Sequence, residues 1–276
     1  MTSTHILFVA FAVIVLAGAS LLVIFSLKKR LARKQLLGLQ FLQALRFLLM
    51  HIQKHRGLST SFLSGNPDVE GELIEIKTQI SKDIQAVSSI GEWIALHEDW
   101  QGITSHWAKL GGGESASFAK NFSQHCKLII NVLALLDTVA EQHQLSQSVH
   151  RGLNSTHWHE FLWAGELIGQ CRALGVRILG LREQNEQLEK HKKQISKALT
   201  DIRVLLDAPY TSSQISAHEV ERIQSFVEFV HHHLIADAGI ISSHEYFQQA
   251  TSTISIVYEC FDREMQKLHR KIAARS

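Results

Sequence analysis

Residues 41–63 read FLQALRFLLMHIQKHRGLSTSFL, and the spacing of their apolar side chains predicts one long helix. Phe41, Leu45 and Ile52 recur at intervals of one or two helical turns, so they share one face. Arg56 follows Ile52 after one further turn and takes a position where an apolar residue is expected. The pattern therefore predicts that the guanidinium of Arg56 points into the protein core.

A second arginine is placed in the same way on a later helix. Phe161, Gly165 and Ile168 form a stripe that reaches Arg172 and continues to Val176 and Leu179. A buried guanidinium without a partner costs several kcal/mol, so the interior must supply an anion. That anion is either a carboxylate of the protein, Glu166 being one candidate, or a bound ligand.

The residues around both arginines favour a bound ligand. Gly169 and Gly175 lie three residues before and after Arg172, which leaves room for a neighbouring helix or a small molecule. Hydrogen-bonding side chains flank Arg56, namely Gln53, Ser59 and Thr60. A guanidinium is a planar fork of donors that matches carboxylate and nitrate. The alternative, in which each arginine pairs with an internal carboxylate and fixes the helix register, stays open.

Two short motifs at these arginines resemble the nitrate- and nitrite-sensing (NIT) domains of bacterial receptors and antiterminators. They are IQKHRGLSTSFL at Ile52–Leu63 and WAGELIGQCRALG at Trp163–Gly175. A weaker likeness continues over Glu245–Lys267, so the resemblance covers most of Leu36–Lys267. The chain departs from the family pattern at His55 and at Cys171. No further arginine can be placed in the last helix, which reads Gln249-Ala250-Thr251.

The resemblance implies a fold of two antiparallel helical bundles that share long helices, with nitrate or nitrite held between them by Arg56 and Arg172. With the anchor that the N-terminal stretch predicts, described next, the chain is expected to be a membrane-anchored member of the family without an output domain. Together with the neighbouring polar and small residues, the predicted ligand-binding site comprises Arg56, Arg172, Gln53, Ser59, Gly169 and Gln170. No cofactor and no metal are predicted.

The stretch Ile6–Leu27 carries no charge and is long enough, as a helix, to cross a hydrocarbon core of about 30 Å. Five basic residues follow within Lys28–Lys34, which predicts that this flank is cytoplasmic. We therefore expect a single-pass protein of the bacterial inner membrane with its C-terminal domain in the cytoplasm. A buried core helix is the alternative. The predicted division is an anchor with its basic flank at 1–34 and a sensor domain at 35–275, with bundles at about 35–145 and 150–275.

The fold class is predicted to be all-α, because two prolines in 276 residues are too few for the many turns of an all-β protein. Seven or eight helices are expected. The predicted boundaries are a first break at Gly65–Pro67, a second helix to about Glu98, a connection at Asp99–Glu114 that can contain a short helix, a third helix at about Glu114–His143, a fourth from near Asn154 to about Glu189, and later breaks at Asp207–Ser213 and Asp237–Gly239.

Other functional classes have weaker support. A net charge of +2 without a broad basic block gives no indication of nucleic-acid binding, and no catalytic motif indicates an enzyme. The best candidate for a metal site comprises Glu228, His231, His232, His233 and Asp237. The pair Glu228 and His232 and the pair His233 and Asp237 are each one helical turn apart but point in different directions, so an exposed polar helix face is favoured.

The sequence thus predicts a sensor that binds a small oxyanion between helices and passes a conformational signal to a protein partner. Whether the chain forms a homodimer is left open. The alternative is a membrane-tethered helical scaffold in which the buried arginines are purely structural.

Overall fold

The computed structural model describes residues 2–111, 117–145, 158–180, 186–208, 214–237 and 240–274, and every regular element in this part of the chain is a helix. The all-α prediction is confirmed for these residues. Nine α-helices are present in them: α1 Thr2–Leu63, α2 Glu70–Ile90, α3 Glu92–Leu96, α4 Glu98–Gly111, α5 Phe118–Gln142, α6 Trp158–Gly180, α7 Glu186–Asp207, α8 Ala217–Val230 and α9 Ser243–Ala273.

The long helix α1 ends where the sequence predicted a break. Gly65 has a φ of +94°, in the left-handed region that a residue without a β-carbon adopts most easily. Asn66 then caps a 3-10 turn at Pro67–Val69, since its side-chain oxygen accepts a hydrogen bond of 3.2 Å from the N–H of Asp68. The prediction of a boundary at Gly65–Pro67 is confirmed.

The predicted transmembrane anchor is wrong. Among the described residues, no helix is long and apolar enough to cross a membrane. A span needs about 20 consecutive apolar residues. The residues of the predicted anchor lie in α1, which runs without a break from Thr2 to Leu63. The single-pass inner-membrane localisation is corrected with it.

The helices pack in two groups that share α1. Helices α2 and α5 pack against α1 in the first group, and α6 and α9 pack against it and each other in the second. Helix α7 packs against α6, and α8 packs against α9. The predicted apolar stripe lies at the centre of this arrangement, with no exposed surface on Phe41, Leu42, Leu45, Leu48, Leu49 and Ile52.

The short helix that the Asp99–Glu114 connection could contain is α4, and it fills most of that region, because its apolar side chains fall on one face and are buried: Trp100, Ile103, Trp107 and Leu110. The predicted end of the second helix is wrong. The second helix ends at Ile90, since Gly91 is extended with φ −178° and ψ 155°. The third helix and the break after Asp207 are confirmed. The predicted start of the fourth helix near Asn154, and its continuation past Gly180, lie outside the described residues.

Candidate functional site

Arg56 pairs with a carboxylate of the protein. Its Nη1 donates to Oε1 of Glu166 at 2.6 Å and its Nη2 donates to Oε2 at 3.0 Å, in the bidentate geometry that guanidinium and carboxylate favour. Both side chains have no exposed surface. Burial alone lowers the pKa of Arg56, but the carboxylate of Glu166 and the thiol of Cys126 outweigh it and hold the pKa above its ordinary value. The positive charge of Arg56 is therefore neutralised inside the protein.

Glu166 is the centre of a buried hydrogen-bond network that joins three helices. The side-chain amide of Gln53 on α1 donates to its Oε2 at 3.0 Å, and Gln170 on α6 donates to its Oε1 at 2.8 Å. Gln53 in turn accepts a hydrogen bond of 2.8 Å from the hydroxyl of Tyr258 on α9. Every carboxylate oxygen thus has two donors, which stabilises a charge that burial would otherwise make costly.

Arg172 is buried without an anionic contact. Its Nη2 donates to the main-chain oxygen of Gln53 at 2.8 Å and its Nη1 donates to the hydroxyl of Thr251 at 2.9 Å. Its side chain is 2% exposed, and its Nε has no hydrogen-bond partner among the described residues. No carboxylate in the described part of the chain lies within ion-pair distance of it. Burial, followed by the charge of Arg56, lowers the pKa of Arg172 to about 10.

The glycines of the second motif make room for specific side chains of other helices. A β-carbon at Gly169 would lie 2.8 Å from Nη2 of Arg56, so this glycine admits the guanidinium that pairs with Glu166. A β-carbon at Gly175 would lie 2.2 to 2.5 Å from three atoms of the Tyr246 side chain. The open positions that the sequence indicated on this ridge are therefore filled by an arginine of α1 and a tyrosine of α9.

The structure brings together five of the six predicted site residues. Arg56, Gln53, Gly169 and Gln170 surround Glu166, and Arg172 joins them through the main-chain oxygen of Gln53. Ser59 is the exception. Its hydroxyl hydrogen-bonds at 2.9 Å to the side-chain oxygen of Asn121 on α5 and at 3.1 Å to the main-chain oxygen of Arg56. It therefore faces the other side of α1.

A histidine pair lies beside Arg56 on that side. Nδ1 of His55 lies 2.7 Å from Nε2 of His125, whose Nδ1 lies 2.8 Å from the main-chain oxygen of Asn121. Burial lowers the pKa of His55 to about 3 and lowers that of His125 well below its ordinary value. Both rings are neutral near pH 7. They therefore add no positive charge beside Arg56.

Several residues of the network were not among the predicted site residues. Thr251 and Tyr258 belong to α9, for which the sequence predicted no ligand-binding residue. A third arginine does reach the network, but from α1. Arg46 stacks 4.7 Å from the centre of the Tyr258 ring and pairs with Asp262 at 2.5 Å. Arg46 lies seven residues before Gln53, on the same helix face, and that spacing could have identified it.

A cavity of about 390 Å³ adjoins Arg172 between α1, α2 and α9. Gln53, Thr251 and Tyr258 line it together with Arg172, and polar residues of α1 and α2 line it further out. Lys54 and Glu72 are two of these polar residues, and Nζ of Lys54 lies 3.7 Å from Oε2 of Glu72. The cavity gives a small molecule access to the one buried guanidinium of the network that lacks an anionic contact among the described residues.

The described residues contain no group of three or more His, Cys, Asp or Glu side chains that could hold a metal ion. His231, His232 and His233 lie in a π-helical turn after α8, with His231 and His232 exposed. Asp237 instead pairs with Lys192 of α7 at 2.6 Å. This region therefore contributes no ligand set to the candidate site.

Comparison with known proteins yields a likeness in fold. No protein-family model matches the chain, and no curated protein is similar to it in sequence. The solved structure of the NasR transcription antiterminator superimposes with a TM-score of 0.66 over 92% of this chain and 75% of that one, at 15% sequence identity. At this identity the likeness shows a shared helical fold, and the function of the site has to be argued from its residues.

Proposed function

We propose that the chain is a sensor that binds nitrate or nitrite at Arg172 and reports the binding by a change in helix packing. The observation that carries the proposal is the state of Arg172, a guanidinium 2% exposed with only neutral hydrogen-bond partners among the described residues. The resemblance of both arginine motifs to nitrate- and nitrite-sensing domains supports it. The shared fold with the NasR antiterminator gives further support.

The charges of the network favour a monovalent anion. Arg56 and Glu166 cancel each other, so Arg172 leaves one uncompensated positive charge in the interior. A planar oxyanion can accept hydrogen bonds from the guanidinium and from the hydroxyl of Thr251, which lines the same cavity. In this proposal, Arg172 contacts the anion. The guanidinium of Arg172 is positioned by the network of Arg56, Glu166 and Gln53, because the main-chain oxygen of Gln53 accepts a hydrogen bond from Nη2 of Arg172.

Signalling follows from the position of Arg172 between helices. Its side chain extends from α6 and bonds to α1 through Gln53 and to α9 through Thr251. An anion that draws the guanidinium away from either partner favours a different packing of these helices, and the difference in affinity sets the shift in population. We propose that a protein partner detects this change.

The scaffold alternative is supported by a different observation, the bidentate pair of Arg56 with Glu166. A buried ion pair of this kind can fix helix register without any ligand. The two functions differ at Arg172. In a scaffold its charge is tolerated through neutral contacts, and nitrate in solution has no effect on stability beyond that of other salts.

Thermal unfolding of the full chain tests the proposal. At a nitrate concentration 100-fold above the dissociation constant, binding to the native state adds about 2.7 kcal/mol, or a rise of about 5–10 °C in Tm. Chloride at equal ionic strength is the reference. Arg172→Met should abolish the nitrate-specific rise, whereas Arg177→Met should keep it, because Arg177 lies on the same helix and packs on Phe118 and Ser64. Equal Tm values for the wild type in nitrate and chloride would favour the scaffold.

A further inference from the structure

The cavity beside Arg172 is much larger than a nitrate ion needs. Its volume is about 390 Å³, within the usual range of sites for small organic molecules. Nitrate has four heavy atoms, and a single water molecule takes up about 30 Å³ in the liquid. An anion of that size bound at Arg172 therefore fills only a small part of the cavity.

The two ends of the cavity carry opposite charges. Arg172 is the buried end, with its Nε unpartnered among the described residues. Glu72 and Glu75 on α2 line the other end and are exposed. Lys54 lies 3.7 Å from Glu72 and offsets its charge. No ion pair of Glu75 is present in the described part of the chain. His51, which also lines the cavity, contacts Asp83 at 2.5 Å. Arg172 and Glu75 are thus the charged lining residues that have no ion pair in the described part of the chain.

Besides these charged groups, both apolar and polar side chains line the cavity. Met50 of α1, Ile76 of α2 and Ile254 of α9 are apolar, and His51, Gln79 and Ser255 are polar. The apolar side chains can cover the methylene groups of a short aliphatic chain, and that contact is favourable. A free anion gains nothing from these apolar side chains. It also meets a carboxylate at the outer end that repels it.

We propose that the cavity binds a small zwitterion, a carboxylate joined to an ammonium group by a short aliphatic chain. The carboxylate binds Arg172 and the hydroxyl of Thr251, and the ammonium group lies at Glu75. This inference rests on the proposed role of Arg172 as the anion-binding residue and extends it to a ligand class. Such a ligand satisfies both ends of the cavity and brings no net charge into the interior.

Ligand affinity measured by thermal shift and calorimetry on the full chain tests the inference. The probes are glycine, β-alanine, 4-aminobutyrate and 5-aminopentanoate, each compared with the carboxylate of equal chain length that lacks the amine, and with nitrate. We expect one amino acid of the series to bind at least tenfold more tightly than its matched carboxylate. Glu75→Gln should remove this preference and keep the response to nitrate, and Arg172→Met should remove both. Glu70→Gln, an exposed change on α2 outside the cavity, is the matched control.

The outcomes separate this inference from the proposed function. A nitrate response without any preference for an amino acid, or a preference that survives Glu75→Gln, overturns the zwitterion site and leaves the oxyanion sensor standing. A preference for an amino acid that depends on Glu75 and Arg172, without a nitrate response, supports the zwitterion site and rejects nitrate as the ligand. No response to any probe rejects both.

Discussion

The buried pair of Arg56 and Glu166 should contribute strongly to stability, and its contribution can be measured. Glu166→Gln removes the carboxylate charge and replaces one of the two acceptor oxygens by an NH2 group, so the donors that faced that oxygen lose their acceptor. The four described hydrogen bonds to Glu166 come from Arg56, Gln53 and Gln170, and all are buried or partly buried. Leaving a guanidinium buried without its carboxylate costs about 3–5 kcal/mol. We expect that loss in the free energy of unfolding, measured by urea denaturation followed by circular dichroism.

A double-mutant cycle isolates the pair itself. Arg56→Met should cost a similar amount, because it strands the carboxylate, and the double variant should lose about 2–3 kcal/mol less than the sum of the single losses. The exposed pair of Lys54 with Glu72 is the reference, since their side chains are 41% and 56% exposed. Glu72→Gln should cost less than about 1 kcal/mol. Single losses at Arg56 and Glu166 as small as the reference would refute the buried network.

Two further predictions concern packing and pH. Gly175→Ala should destabilise the protein by about 1–3 kcal/mol, since its β-carbon would overlap the Tyr246 side chain; Gly102→Ala on α4, where nothing lies within 4 Å, should instead stabilise it by up to about 1 kcal/mol, and denaturant midpoints compare the two. Burial lowers the pKa of His55 to about 3, so the unfolded chain binds a proton at this residue below about pH 6.5 while the native state does not. The free energy of unfolding should therefore decrease as the pH is lowered, by about 2 kcal/mol for His55 between pH 7.5 and 5.0. His55→Leu should have a shallower pH dependence of the unfolding free energy than the wild type. Equal slopes would contradict a neutral buried histidine.

The burial of both arginines was predictable from the sequence, because each interrupts a stripe whose other members are apolar. Their partners were not. Glu166 lies 110 positions from Arg56, and Thr251 lies 79 positions from Arg172. Which side chains meet depends on how α1, α6 and α9 are rotated against one another, and helical periodicity fixes a face only within its own helix. The sequence therefore left open whether either arginine pairs with a carboxylate. In the structure Arg56 pairs with Glu166, whereas Arg172 has only neutral hydrogen-bond partners among the described residues.

Some helix boundaries were predictable from the sequence, and others were not. The break at Gly65–Pro67 follows from local chemistry, since a left-handed glycine and a proline end a helix wherever they occur. Helix α4 fills more of the Asp99–Glu114 connection than the sequence predicted, because glycines disfavour helices whereas burial of Trp100 and Trp107 outweighs that preference. Hydropathy predicted a membrane span at Ile6–Leu27. Among the described residues, no helix is long and apolar enough to cross a membrane, and these residues belong to α1.

Gln53 explains how a ligand at one arginine can affect several helices. Its side-chain amide bonds to Glu166 on α6 and to Tyr258 on α9, while its main-chain oxygen holds Arg172. These three contacts use both ends of the amide and the carbonyl of one residue, so a displacement of Arg172 acts directly on the α1 backbone at the point where the network is anchored. Thr251 gives the same guanidinium a second contact on α9. In the proposed sensor, an anion in the cavity that draws Arg172 away from Gln53 or Thr251 lengthens one of these bonds and so changes the contact between α6 and either α1 or α9.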